Sequence, residues 1–149
     1  MPESLSDPLH RLTHAYTSRL REVISEQDIS LPITHIRALK AVCNDPHVTA
    51  HSIAARMRRD KAQITRVLKE LLDSELIVKV DNPDDRRSQL LKPTAEGRKV
   101  VRKVKTLEAR VMGQMTQKLK LDEVKQFILL ANKMTAGLGH QTDVEEEVG

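Results

Sequence analysis

Aromatic side chains are almost missing from this 149-residue chain: Tyr16 and Phe127 are the only two, and there is no tryptophan. A core must therefore be assembled from Leu, Ile, Val, Met and Ala, which favours helix-on-helix packing over a β-sandwich. A surface that stacks unpaired bases on several aromatic rings is excluded on the same ground. A single cysteine, Cys43, leaves no internal disulfide framework and fits a reducing compartment. There is no glycine-rich phosphate loop and no G-x-S-x-G elbow, so nothing invites an enzymatic reading and no cofactor is expected. No apolar run reaches membrane-spanning length, and Met1-Pro2-Glu3-Ser4 lacks the pattern of a secretory signal, so the expected location is the cytoplasm.

What is present is charge, unevenly placed. The formal net charge is +4, yet the stretch from Arg56 to Lys103 alone holds 14 Lys/Arg against 8 Asp/Glu. The segment 141–149 holds four carboxylates and no base, which reads as an acidic, flexible tail. A basic middle with an acidic end is an electrostatic footprint for phosphate, although a basic stretch alone is more often just a solvated face.

The periodicities predict a mainly α chain of the α+β, winged helix-turn-helix type, in the order ααααββαα. Leu5, Leu9, Leu12, Tyr16, Leu20 and Val23 recur at helical steps and place a first helix from about Asp7 to Glu26. Pro32 resets the chain before a second helix with Ile36, Leu39 and Cys43 on one face, stopped by Asn44-Asp45-Pro46. Thr49 is a suitable N-cap for a short third helix to Met57, and Asp60 for a fourth whose stripe is Ile64, Val67, Leu68 and Leu71. Leu76-Ile77-Val78-Lys79-Val80 then reads as a strand, Asn82–Arg87 as a charged turn, and Gln89-Leu90-Leu91-Lys92 as the returning strand. Thr94 opens a long helix with a stripe running Val100, Val104, Leu107, Val111, Met115 and Leu119. A last helix carries Val124, Phe127, Ala131, Met134 and Leu138.

Residues 31–97 are thus expected to form a winged helix-turn-helix, with 1–30 and 98–140 forming a helical dimerisation region. The terminal stripes need a partner: either a second copy, the favoured reading, or an intramolecular bundle. On the fourth helix the stripe leaves Ala62, Gln63, Thr65, Arg66 and Lys69 outward, with Lys61 at its start. Gln and Arg can read base edges in a major groove, Thr can touch base or phosphate, and Lys anchors phosphate. An ordinary amphipathic surface helix would look similar without the hairpin that follows.

The run Thr49–Gly97 resembles the multiple-antibiotic-resistance regulator (MarR) family of bacterial transcription factors. The resemblance rests on Thr49–Ala54, on Asp60–Leu68, and on Asn82-Pro83-Asp84-Asp85-Arg86-Arg87 leading to Thr94-Ala95-Glu96-Gly97. It implies a homodimer that binds double-stranded DNA at a pseudo-palindromic site, often as a repressor, and is often released by a small-molecule effector or by oxidation. It also implies that Arg87 enters the minor groove while Asp85 holds its guanidinium, with Arg86 near the backbone. Two departures stand out: where the family usually has glycine before and after the recognition helix, this chain has Arg58 and Glu75. Arg58 and Arg59, with Thr49, would add phosphate contacts.

For a switch, Cys43 sits on an apolar face and does not match the first-helix cysteine of the family's peroxide sensors. His10/His14 and His47/His51 are spaced to share a metal but lack further donors, so no metal site is expected. An effector pocket would be lined by His14, Tyr16 and Arg37. The alternative to a DNA-binding regulator is a winged-helix protein-interaction module without an operator.

Overall fold

The computed structural model describes residues 4–57 and 60–139. Arg58, Arg59 and the acidic tail lie outside the described residues, together with what the sequence suggested for them. The element order is α1 (Ser6–Glu26), α2 (Ile33–Asn44), α3 (Ala50–Met57), α4 (Lys61–Asp73), β1 (Ile77–Asp81), β2 (Gln89–Pro93), α5 (Ala95–Thr116) and α6 (Leu121–Gly137). This is the ααααββαα order that the periodicities predict. The strands pair antiparallel with Ile77 opposite Pro93 and Asp81 opposite Gln89.

The chain forms two compact units, Met1–Val111 and Met112–Gly149. The first has two apolar clusters. One gathers Leu39, Val42, Val48, Ile53, Ile64, Val67, Leu68, Leu71, Ile77 and Leu91, so that α2, α3, α4 and the hairpin share one core. The other joins Leu20, Val23 and Ile24 of α1 to Ile36 of α2 and Val104, Leu107 and Val111 of α5. Every fully buried member of both is aliphatic, as the shortage of aromatics demands. The sequence places Cys43 on an apolar face. It is half-buried against the first cluster. Burial pushes its thiol up, against the pull of Arg98 and Lys105 toward the thiolate.

Two stripes run on beyond what the chain covers. Leu5, just before α1, and Leu9 and Leu12 within it stay exposed, because only the C-terminal half of that helix packs into the second cluster. On α6 none of the predicted stripe is buried, and Phe127, Ile128, Leu129 and Leu130 are all more than half exposed. The long helix is shorter than its pattern suggests. It closes at Thr116, where the Leu119 amide donates to the Thr116 carbonyl at 2.9 Å, so Leu119 sits in the turn rather than on the helix.

The end of α4 explains one of the missing glycines. Glu75 has φ +60°, the left-handed conformation that glycine adopts without a Cβ penalty. Its amide donates to Leu72 and that of Leu76 to Leu71, the paired bonds of a Schellman cap. The turn therefore keeps the glycine geometry with a glutamate in it. A left-handed L-residue costs about 1–2 kcal/mol, and glycine's greater freedom in the unfolded chain offsets part of that. Glu75→Gly should raise stability by roughly 0.5–1 kcal/mol in urea unfolding, while Glu75→Ala should not. Equal midpoints for the two variants would show that the turn is unstrained.

Candidate nucleic-acid interface

Helix α4 is positioned from both ends. Asp60 Oδ1 accepts the Ala62 amide at 3.2 Å and satisfies one of the open donors of the first turn, while the Schellman cap fixes the exit. Its inner side is the row Ile64, Val67, Leu68 and Leu71, each nearly inaccessible. Lys61, Ala62, Thr65, Arg66 and Lys69 are exposed, as the pattern requires. Gln63 is a partial correction. It lies one turn before Val67 on the same helix row and is half-buried, at the border of the exposed face rather than on it. The Thr65 hydroxyl donates to the Lys61 carbonyl at 2.8 Å, so its proton is committed and its oxygen remains an acceptor.

α3 is held beneath by reciprocal bonds. The Thr49 amide donates to Ser52 Oγ at 2.9 Å, and the Ser52 amide to Thr49 Oγ1 at 3.2 Å. Thr49 is thus a cap, as its position before the helix suggested. In the loop before it, Asp45 accepts the His47 amide and pairs with Arg56. α2 is tied to α4 by His35 Nε2 and Glu70 Oε2 at 2.5 Å, a contact between residues 35 apart that no local pattern announces.

The wing tip is ordered by short polar side chains. Asn82 Oδ1 accepts the Asp84 amide, and Asp85 Oδ1 accepts the Arg87 amide at 2.9 Å; each is a local turn closed by its own carboxamide or carboxylate. Ser88 Oγ lies 3.3 Å from Asp85 Oδ2. Here the geometry corrects an implied role: Asp85 grips the main chain of Arg87, not its guanidinium. An Asx-type turn reaches only two residues along the backbone, which leaves both Arg86 and Arg87 side chains exposed. Among the described residues, the ion pairs are Arg19–Glu22, His35–Glu70, Lys40–Glu108 and Arg56–Asp45, so the wing arginines are not neutralised by a neighbour.

A cleft of about 340 Å³ lies between α4 and the wing, lined by Thr49, Ala50, His51, Ala54, Lys61, Ile64, Thr65, Lys79, Arg87, Ser88, Gln89 and Leu91. It brings together Thr49, Lys61, Thr65 and Arg87 from the sequence reading and adds His51, Lys79 and Gln89. The signal for Lys79 is the strand's alternation: it shares a sheet face with Ile77 and stands opposite Leu91, both buried.

The suggested effector residues separate. Tyr16 and Arg37 line one cavity of about 330 Å³ with Leu20, Ile24, Ile33, Ile36, Lys40 and Glu108, and His14 is not among its lining. Glu108 holds Lys40 at 2.7 and 2.9 Å across it. Burial, then the Glu108 carboxylate, raises the Tyr16 phenol above its ordinary range, so it stays a neutral hydroxyl. No three of His, Cys, Asp and Glu gather as metal ligands among the described residues. Nor is any described helix long and apolar enough to cross a membrane.

A model of the MarR family matches residues 29–88. Among solved structures, Escherichia coli MarR in its apo form has a TM-score of 0.73 at 21% identity, covering 90% of this chain and 98% of that one. The Staphylococcus aureus MepR–DNA complex reaches 0.76 at 17% identity, over 90% of this chain and 98% of that one. A MarR-family regulator from Rhodococcus sp. RHA1 gives 0.73 at 22%, over 89% and 96%. No curated protein matches the sequence. The family model thus covers the middle of the chain, and across about 90% of its length the chain has the fold of these solved structures.

Proposed function

We propose that this protein is a dimeric, sequence-specific regulator of transcription that binds double-stranded DNA through α4 and the wing, acts as a repressor, and is released by a small molecule. The observation that carries the reading is a set of exposed bases on two neighbouring elements: Lys61, Arg66 and Lys69 on a capped helix, and Arg86 and Arg87 on a wing where neither joins an ion pair among the described residues. A helix of this kind fits a major groove, and an arginine-tipped hairpin suits the negative potential of a narrow minor groove. The likeness to a structure solved as a MepR–DNA complex supports the same use of the fold. Dimer formation is supported by the exposed apolar rows of α1 and α6, and two copies would present two helices to two half-sites. The effector site is proposed at the cavity of Tyr16, Arg37, Lys40 and Glu108.

Selection of bound duplexes from a random pool tests the reading. It should return a pseudo-palindromic sequence bound by two chains. Affinity for it should fall by roughly a thousandfold or more between 50 and 200 mM salt, about what six or more phosphate contacts release in counterions. A pool that yields no preferred sequence would leave the chain a protein-interaction module on a winged-helix frame.

A further inference from the structure

The cleft between α4 and the wing has an uneven inventory of charge. Its lining holds Lys61 from α4, Lys79 from β1, Arg87 from the wing tip and His51 from α3, and no aspartate or glutamate. Three fixed cations and a ring that can donate a hydrogen bond thus converge from four separate elements on one concavity. Low-dielectric walls around charges of one sign focus their field, and the walls here include Ile64, Ala54 and Leu91. Lys79 is the odd member. It shares a face of β1 with the buried Ile77 and stands across from the buried Leu91, yet is itself exposed. Its stem can lie along that face while the ammonium reaches the cleft.

We infer that this cleft seats a backbone phosphate of the bound duplex, with Lys79 as a further DNA-binding residue and His51 as a donor to the same group. The inference rests on the DNA-binding reading and extends it: the phosphate is gripped between recognition helix and wing, so that the two are set on the duplex by one shared contact. A phosphate contact carries no base information but fixes register and orientation. Its loss should weaken all duplexes alike, unlike loss of a base-reading side chain.

The test uses the full chain with a selected duplex and a scrambled one. Lys79→Gln should lower affinity for both by a similar factor, about tenfold, and reduce the salt slope by about one phosphate. Lys133→Gln removes the same charge from α6, outside the cleft, and serves as the control. A scan with single neutral methylphosphonates should find a position that costs the parent affinity but costs Lys79→Gln nothing, and His51→Ala should shrink the same penalty. Lys79, His51 and Lys133 are all exposed, so unchanged melting is the expected folding check. Equal salt slopes for Lys79→Gln and Lys133→Gln, with no methylphosphonate position coupled to Lys79, would overturn the phosphate seat while leaving DNA binding intact. So would a change confined to self-association, the outcome if Lys79 merely protects a strand edge. A parent protein that binds neither duplex overturns both readings at once.

Discussion

Gly97→Ala should cost about 3 kcal/mol or more and lower the melting temperature by roughly 6–12 °C. An added Cβ at this position would stand 2.1 Å from the Leu76 carbonyl oxygen and 3.1 Å from its carbon. That carbonyl cannot swing aside, since it accepts the Thr94 amide at 3.0 Å. Thr94 in turn donates its hydroxyl to the Glu75 carbonyl at 2.7 Å and accepts the Gly97 amide at 3.1 Å. The start of α5 is thus bolted to the turn after α4, and making room for a methyl means moving the helix by about 1 Å and stretching these bonds together. Alanine would gain up to about 1 kcal/mol of helix propensity over glycine, too little to change the sign. The consequence would extend to the interface, because the same turn fixes the exit of the recognition helix. Calorimetry or denaturant unfolding decides it: a variant as stable as the parent would mean that α5 need not approach Leu76 so closely.

The second large effect is on binding. Arg66→Ala combined with Arg87→Ala should reduce affinity for the selected duplex by about 2–4 kcal/mol, roughly 30- to 1000-fold. It should also bring that affinity toward the value for scrambled DNA. Both side chains are exposed and neither joins an ion pair among the described residues, so their removal leaves the apolar clusters untouched and melting should not change. The two changes lie on separate elements, one on the helix and one on the wing, and should be close to additive. The specificity ratio is the quantity to read, at fixed salt. A double variant that keeps it would place sequence recognition elsewhere on the molecule.

Much of this architecture was legible in the chain. The rows Ile64–Val67–Leu68–Leu71 and Ile36–Leu39 announce helices because burial repeats every three or four residues, and short apolar runs flanking Asn82–Arg87 announce a hairpin. Asp60 and Thr49 mark helix starts because a short oxygen-bearing side chain can cap only its own neighbourhood. Such signals are local, and local signals survive in sequence. Less legible were the ends. Leu119 continues a helical pattern but falls beyond Thr116, since a periodic row does not say where its helix stops. Gln63 looks outward by counting, yet sits beside Val67, because a helix face has borders that the count of three and four does not resolve.

The wing shows where local reading fails in kind. The resemblance links Asp85 to the Arg87 guanidinium, but which atoms meet depends on the turn's dihedrals, and the carboxylate takes the backbone amide. The same holds for the suggested effector residues. His14, Tyr16 and Arg37 are all polar groups of the first two helices, and only the packing of α1, α2 and α5 decides that two of them share a cavity and the third does not.

By itself, then, the sequence determined the elements, their order, the basic character of the recognition helix and wing, and an aliphatic core, since each follows from composition or from spacing along one segment. Tertiary structure decided what depends on atoms brought together from distant segments. Glu75 occupies a glycine's conformation because Leu71, Leu72 and Thr94 hold the turn. Gly97 is required because Leu76 lies against it. Lys61, Lys79 and Arg87 form one cleft because the hairpin folds back on α3 and α4, closing a gap that spacing along the chain does not encode.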